Sequence, residues 1–313
     1  MLEGQLTLGA MLAIQYIVGQ LNSPIEQLIG FIQQAQDAKL SLERLNEIHS
    51  LEDEEPKESN LQKFLPENKT ISLQNVSFTY VGAGYEPVLS NINLEIPDKK
   101  ITAIVGMSGS GKTTLLKLSL KFYEQYKGDI KIGEANLKYI SHNFWRDQCS
   151  SVMQDGYIFN DTIASNIALV GENIDFDKLI AACKVANIMQ FIEQLPLGFN
   201  TKIGAEGNGI SQGQKQRILI ARAVYKNPHF VFFDEATNAL DANNEKVILE
   251  NLQTFFKNKT VVVVAHRLST VKNADKIVVL QNGEIVEEGT HQELTAQKGH
   301  YYELVKNQLE LGN

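Results

Sequence analysis

The stretch Gly106-Met107-Ser108-Gly109-Ser110-Gly111-Lys112-Thr113 decides the fold of this chain of 313 residues. It follows an apolar run, Ile101 to Val105, and leads into a helical pattern that begins at Thr114. A glycine-rich loop between a strand and a helix turns several backbone N–H groups, and the positive end of the helix, toward one anion. Lys112 can reach β- and γ-phosphates, and the Thr113 hydroxyl can hold Mg²⁺. The sequence therefore predicts a nucleoside triphosphate site along this loop, with Thr114 at its end.

Charge and cysteine content exclude some classes of protein. The net charge is −8 and the pI is about 5.4, whereas broad nucleic-acid binding favours a basic face. Cys149 and Cys183 are too few for a disulfide framework and lack metal-ligand spacing. We predict two buried thiols in a reducing compartment.

The N-terminal segment is strongly apolar. Leu6 to Leu21 is almost free of charge over about 16 residues, whereas a membrane span needs about 20. A secretory signal peptide is not expected, because no basic region precedes the segment and no small-residue cleavage site follows it. Two alternatives stay open: a buried core helix, or the end of a transmembrane helix. Gln5, Gln15 and Gln20 favour a helix that faces protein or water rather than lipid.

A connecting helix and a linker are predicted next. Apolar residues recur at helical spacing from Ala35 to Ile48, with charged residues between them. The charged run Leu51 to Glu58 contains Pro56, which is typical of a linker. We therefore place a domain boundary in this run.

The rest of the chain alternates apolar runs with helical patterns, which predicts an α/β core. The pattern between Asp161 and Asn227 is helical throughout, so we expect an inserted helical lobe. Thr290 and Glu293 form a capping box that opens a C-terminal helix. The predicted strands are Ile71 to Tyr80, Ile101 to Val105, Phe230 to Phe233, Val261 to Ala265 and Ile277 to Leu280.

Polar residues follow two of these strands. Asp234 and Glu235 come directly after one buried strand, and His266 follows another. Ligands in open α/β sheets bind outside the carboxyl ends of the strands. Asp234 can bind Mg²⁺, Glu235 can act as general base toward an attacking water, and His266 can hydrogen-bond the γ-phosphate. The alternatives are a solvated strand end for the carboxylates and a structural role for the histidine.

The segment Gly209 to Arg217 opens another helix. Ser211 and Gln214 form an ordinary capping box at its start. The functional alternative is that this helix N-terminus binds the γ-phosphate of a second nucleotide. The order of the motifs along the chain decides between the two.

In that order the motifs resemble the nucleotide-binding domain of an ABC transporter, specifically of an exporter half-transporter. The resemblance covers residues 68 to about 308. Beyond the phosphate loop, the matching positions are Tyr80 at the adenine-stacking aromatic, Gln154 at the Q-loop, Ile210 to Gln214 at the signature, Asp234-Glu235 at the second acidic motif, Asn238 to Asp241 at the D-loop and His266 at the switch histidine.

The resemblance implies a fold and a set of roles. The fold is a P-loop NTPase core of the ABC type, with a mixed sheet, flanking helices and a helical subdomain at about 158–227. Glu235, His266, Gln154 and Asp241 would be catalytic, and Thr113, Gln154 and Asp234 would hold Mg²⁺. ATP would also contact Tyr80, the phosphate loop, and Ser211, Gly213 and Gln214 of a second subunit.

The resemblance also implies a division of the chain and a cellular setting. Residues 1–50 would be the end of the last transmembrane helix and a connecting helix, 51–67 the linker, and 68–308 the nucleotide-binding domain. Most of the membrane domain is missing, so the chain resembles a C-terminal fragment. It would work as a head-to-tail dimer on the cytoplasmic side of the inner membrane and use ATP hydrolysis to export a substrate, with no nucleic-acid partner.

One departure from the family pattern bears on the cargo. Gln212 replaces the first glycine of the signature L-S-G-G-Q, which resembles peptide exporters that carry a leader-cleaving peptidase domain. A peptide cargo is therefore expected, with lipid or drug as the alternative. A soluble ABC-type ATPase of DNA maintenance would need a basic surface and coiled-coil insertions. A P-loop kinase would leave the Ser211 motif unexplained.

Overall fold

The computed structural model describes residues 7–51, 53–55, 60–82, 84, 86–169, 173–204, 207, 209–236, 240–265 and 271–311. The chain divides into two compact units, 1–58 and 59–313. The division falls within the predicted linker of 51–67. In its described residues the first unit contains one long helix, and the second unit contains the sheets.

Helix α1 runs without a break from Leu8 to His49. The Thr7 side chain caps its first turn by accepting a hydrogen bond from the Ala10 N–H at 3.3 Å. The apolar segment and the amphipathic segment of the sequence thus form one helix, which continues through Pro24 and buries none of its residues. Among the residues that the structure describes, no helix is both long and apolar enough to cross a membrane.

The second unit alternates strands and helices. Its strands are β1 Ile71–Phe78, β2 Leu89–Ile96, β3 Ile101–Val105, β4 Lys127–Ile132, β5 Ala135–Asn136, β6 Cys149–Val152, β7 Asp161–Thr162, β8 Lys202–Ile203, β9 Phe230–Asp234, β10 Thr260–Val264, β11 Lys276–Gln281 and β12 Glu284–Gly289. The α-helices given by its described residues are α2 Lys112–Ser119, α3 His142–Gln148, α4 Ile163–Ala168, α5 Phe176–Val185, α6 Met189–Glu193, α7 Gln212–Lys226, α8 Ala242–Phe255, α9 His291–Gln297 and α10 His300–Leu311.

A six-stranded sheet forms the centre of the unit, in the order β12-β11-β3-β10-β9-β6. The strands from β11 to β6 are parallel, and β12 pairs antiparallel with β11 at the edge. In β9 and β10 every residue is buried, as expected for parallel strands covered on both faces. Because the strands are parallel, the residues that follow β3, β6, β9 and β10 leave the sheet at the same edge.

Each of the five parallel strands of this sheet contributes side chains to two separate cores. Val231 and Phe233 of β9 pack with the helices α4, α5 and α7, whereas Phe230 and Phe232 pack on the other face. The second core also contains side chains of α2, of α3 and of the antiparallel sheet β2-β1-β4-β5. Because successive side chains of a strand point to opposite faces of the sheet, one apolar run contributes to both cores.

The predicted mixed α/β fold with a helical insertion is confirmed, with one correction. The segment between Asp161 and Asn227 is not helical throughout, because β7 and β8 pair there as a two-stranded antiparallel sheet. The Ile163 N–H also donates to the Thr201 carbonyl at 3.0 Å beside this pair. Strands of two residues are too short to show a period in sequence.

The capping boxes and the cysteines lie as predicted. Ser211 with Gln214, and Thr290 with Glu293, each make both reciprocal hydrogen bonds of a capping box. Cys149 and Cys183 are free and buried. Burial raises the pKa of the Cys149 thiol well above its ordinary value and that of Cys183 to about 12.

Candidate functional site

The loop between β3 and α2 has the backbone geometry that the glycine pattern predicts. Gly109 and Gly111 have φ angles of 79° and 101°, which lie in the left-handed region. A Cβ at Gly111 would also lie 2.7 Å from the Leu89 side chain, and one at Gly106 would collide with the Leu280 carbonyl oxygen. Ser108 and Gly109 are exposed at the tip. Glycine is therefore needed here both for backbone angle and for space.

Lys112 lies folded back over this loop. Its Nζ donates to the carbonyl oxygens of Gly106 at 3.0 Å and Met107 at 2.8 Å. Lys112 is buried, and burial lowers the pKa of its ammonium, while the nearby carboxylates of Glu235 and Asp234 oppose that shift. The loop thus presents a cation whose present partners are neutral carbonyls that a phosphate can replace.

The carboxylate of Asp234 lies at the end of β9 and is 1% exposed. Burial raises the pKa of this carboxyl, and a hydrogen bond with the Thr113 side chain acts in the opposite direction. Within the described part of the chain, Asp234 Oδ1 and Ser110 Oγ are buried without a hydrogen-bond partner. Orphaned buried oxygens are rare in folded proteins, which makes each of these two atoms a candidate ligand.

Glu235 follows Asp234 in a left-handed conformation with φ 52°, which is uncommon for a residue other than glycine. Two hydrogen bonds hold the backbone there: the Glu235 N–H donates to the Val264 carbonyl at 3.1 Å, and Gln216 Nε2 donates to the Glu235 carbonyl at 3.0 Å. Backbone strain of this kind is typical of functional sites. The sequence assigned no role to Gln216, since nothing in its spacing reveals a contact with β9.

Gln154 and Tyr80 each follow a strand, and the two strands belong to different sheets. Gln154 is exposed just after β6, which pairs with β9 and ends at the same edge of the sheet. Tyr80 follows β1, and its hydroxyl hydrogen-bonds with the Thr114 side chain at 3.0 Å. The structure therefore brings the predicted Tyr80 directly to the helix that begins at Lys112.

Ser211 and Asp241 instead make local caps. The exposed Ser211 accepts from the Gln214 N–H at 3.2 Å, and Gly213 lies in the first turn of α7. Asp241 caps α8 through Asn244, and hydrogen bonds from the Asn244 backbone and side chain lower the pKa of its carboxyl. Both residues face solvent in this single chain. His266, Asn238 and Ala239 lie outside the described residues.

The residues present fit a bound Mg²⁺. The hydroxyl of Thr113 and the carboxylate of Asp234 are hard oxygen donors, which Mg²⁺ prefers, and it is usually bound by one or two protein groups together with phosphate oxygens. The buried Asp234 Oδ1 without a partner is the observation that supports this fit. Asp234 and Thr113 would hold the ion.

A buried network that the sequence did not indicate holds the segment after Gln154. Asn166 is fully buried, and its amide donates to the carbonyls of Phe159 at 3.0 Å and Thr162 at 3.0 Å and accepts from the Phe159 N–H at 2.8 Å. Arg222 of α7 donates to the Asn166 and Tyr157 carbonyls at 2.8 and 3.0 Å. The network therefore ties α7 to the segment that follows Gln154.

This fold and this loop are typical of an ATP-binding domain of the ABC type. Residues 89–238 match the protein family described as "ABC transporter". The chain therefore contains an ABC transporter ATP-binding domain, and the predicted resemblance is confirmed.

Two known proteins are similar to this chain in sequence, and one solved structure is similar in fold. The chain is 42% identical over 303 residues to the leukotoxin export ATP-binding protein LtxB of Aggregatibacter actinomycetemcomitans, covering 96% of this chain and 42% of LtxB. It is 40% identical to the alpha-hemolysin translocation ATP-binding protein HlyB of Escherichia coli, with the same coverage. A solved structure of a bacterial Atm1-family ABC exporter with ATP bound superposes with a TM-score of 0.80 at 32% identity, covering 97% of this chain and 53% of that one. The chain thus spans less than half the length of these two toxin-export relatives.

Proposed function

We propose that the chain binds ATP with Mg²⁺ and hydrolyses it to drive export of a polypeptide across the cytoplasmic membrane. The observation that carries the proposal is the placement of Lys112 in a glycine loop beside the carboxylates of Asp234 and Glu235. The relatives named for export or translocation of leukotoxin and alpha-hemolysin support a polypeptide substrate. Lipid or drug cargo, and DNA maintenance, are the alternatives.

Different residues of this site would carry different parts of ATP hydrolysis. The amides of Gly109 to Thr113 and the Lys112 ammonium bind the β- and γ-phosphates, and Tyr80 stacks on the adenine. Thr113 and Asp234, together with Gln154, would hold Mg²⁺, which would neutralise phosphate charge. Glu235 accepts the proton of the attacking water, and His266 orients that water at the γ-phosphate.

A second copy completes the site in this proposal. The N-terminus of α7 is exposed and carries Ser211 and Gly213, which suit an anion. In a head-to-tail dimer this end meets the nucleotide held by the partner's phosphate loop, and Asp241 lies at the same interface. ATP then favours the closed dimer only to the extent that it binds this form more tightly than the open form.

The division of the chain belongs to the same proposal. Residues 1–50 are the end of a transmembrane helix and its connection, 51–67 the linker and 68–308 the nucleotide-binding domain. The exposed apolar side chains along α1 support a membrane domain as its neighbour. The ATPase domain then lies on the cytoplasmic side.

Glu235→Gln tests the proposal, because it removes the base but keeps the shape of the side chain. We expect steady-state ATP turnover to fall by about 10²–10⁴-fold, with ATP affinity near that of the wild type. The variant should accumulate as an ATP-bound dimer in size-exclusion chromatography. Glu284→Gln, at an exposed carboxylate on the edge strand β12, is the matched control and should keep turnover. Turnover of Glu235→Gln within a few-fold of wild type would exclude Glu235 as the base.

A further inference from the structure

Three aromatic rings meet on the side of the phosphate loop where β1 ends. The Tyr80 ring lies 4.9 Å from Phe78 and 5.4 Å from Tyr123, at interplanar angles of 83° and 87°. Phe78 and Tyr123 lie 5.2 Å apart at 37°. These three residues are called the aromatic cluster below. Perpendicular contacts at these distances are favourable arrangements for aromatic pairs.

The cluster joins three different parts of the domain. Phe78 is the last residue of β1 and is buried, whereas Tyr123 follows the C-terminus of α2. Tyr80 is only partly buried, and its hydroxyl bonds with the buried Thr114 near the start of α2. The Tyr80 side chain thus makes three contacts, two through its ring and one through its hydroxyl.

We propose that Tyr123 is a positioning residue, which holds the Tyr80 ring in the orientation that stacks on the base of a bound nucleotide. The inference rests on the proposed ATP binding. Without Tyr123 the Tyr80 side chain keeps only one ring contact besides its hydroxyl bond, so more of its ordering must occur when the base binds, and ordering a side chain weakens binding by about 2–10-fold. Removal of Tyr123 should therefore weaken contact with the base and leave contact with the phosphates unchanged.

The experiment compares two probes of one site on the full chain. ATP occupies the phosphate loop and the base position, whereas inorganic tripolyphosphate occupies the loop alone. We expect Tyr123→Leu to weaken ATP binding by about 2–10-fold and to leave tripolyphosphate binding unchanged. Tyr123→Phe, which keeps the ring, should bind both probes as the wild type does. Tyr139→Leu, at an exposed tyrosine, is the matched control.

A double-mutant cycle tests whether Tyr123 acts through Tyr80. In a Tyr80→Leu background, Tyr123→Leu should have no further effect on ATP affinity, because the residue that it positions is already absent. Equal loss of ATP and tripolyphosphate affinity, additive losses in the cycle, or unchanged ATP affinity in Tyr123→Leu would each overturn the proposal. Failure of the wild type to bind either probe would instead contradict the proposed function itself.

Discussion

At the scale of single residues, Asp234 shows that a side chain placed for binding can lower the stability of the folded state. Its carboxylate is buried, and one of its oxygens has no partner among the described residues. Burial raises the pKa of the carboxyl above its unfolded value, so the ionised form destabilises the folded state at neutral pH. That destabilisation decreases as pH falls through the folded pKa and vanishes below the unfolded pKa.

We predict that Asp234→Asn raises the melting temperature of the metal-free protein at neutral pH by about 2–6 °C. The amide has nearly the same shape but no charge to bury. The difference from wild type should shrink as the pH is lowered toward about 4, and the stabilisation by Mg²⁺ with ATP should be lost. Differential scanning calorimetry with EDTA, and then with the nucleotide complex, measures both effects. A lower melting temperature in EDTA would show that the carboxylate stabilises the empty site.

Gln212 is the residue at which this chain departs from the family pattern. It is exposed at the first position of α7, while the neighbouring Ser211 makes the cap. We expect Gln212→Gly to change ATP affinity little and stability by only a few tenths of a kcal/mol. A large gain in ATP-driven dimerisation would show instead that Gln212 weakens the closed dimer.

Ser211→Ala is the contrasting change at the same helix end. The cap is lost, which should lower the free energy of unfolding by about 1 kcal/mol, and hydrolysis should fall because the hydroxyl no longer reaches the nucleotide across the dimer. The ATPase rate, measured at increasing protein concentration, separates the loss of hydrolysis from the loss of the helix cap. A normal rate at saturating concentration would exclude Ser211 from the site.

At the scale of elements, the Asn166 network connects α7 to the segment after Gln154. We predict that Asn166→Ala lowers the free energy of unfolding by about 2–4 kcal/mol, because several buried backbone groups lose their partners. Gln190→Ala, at an exposed amide on α6, is the control and should be nearly neutral. Urea denaturation measures both. A loss below about 0.5 kcal/mol for Asn166→Ala would show that other groups replace the amide.

The buried strands and the phosphate loop were predictable because their signals are local. The apolar runs at β3, β9, β10 and β11 carry the pattern of strands covered on both faces, and the loop is a continuous motif. The pair β7 and β8, the Asn166 network and the aromatic cluster were not predictable. Each depends on residues that are distant in sequence, so only the folded chain shows the contact.

At the scale of the whole molecule, the two units differ in what they bury. The unit of residues 59–313 contains both hydrophobic cores, whereas α1 in the first unit has no buried residue. The exposed side chains along α1 include many leucines and isoleucines, and contiguous exposed apolar patches mark interaction sites or aggregation. The stability of the second unit therefore does not depend on buried side chains of α1.

We predict that the full chain aggregates without detergent, and that a protein starting at Asn60 is soluble and binds ATP. The apolar side chains of α1 are the physical reason. Light scattering with and without detergent measures the first, and calorimetric titration with ATP the second. A monodisperse full chain in plain buffer would contradict the assignment of α1 to a membrane domain.

The two buried thiols have a practical consequence for site-specific labelling of this protein. Maleimides and similar reagents attack the thiolate, and burial keeps both Cys149 and Cys183 protonated and enclosed. The native chain should consequently behave toward labelling reagents as if it contained no cysteine, and release two reactive groups only on denaturation. A cysteine placed at the exposed Gln212 would then carry a fluorophore or spin label alone, and its signal would report the approach of a second copy in real time.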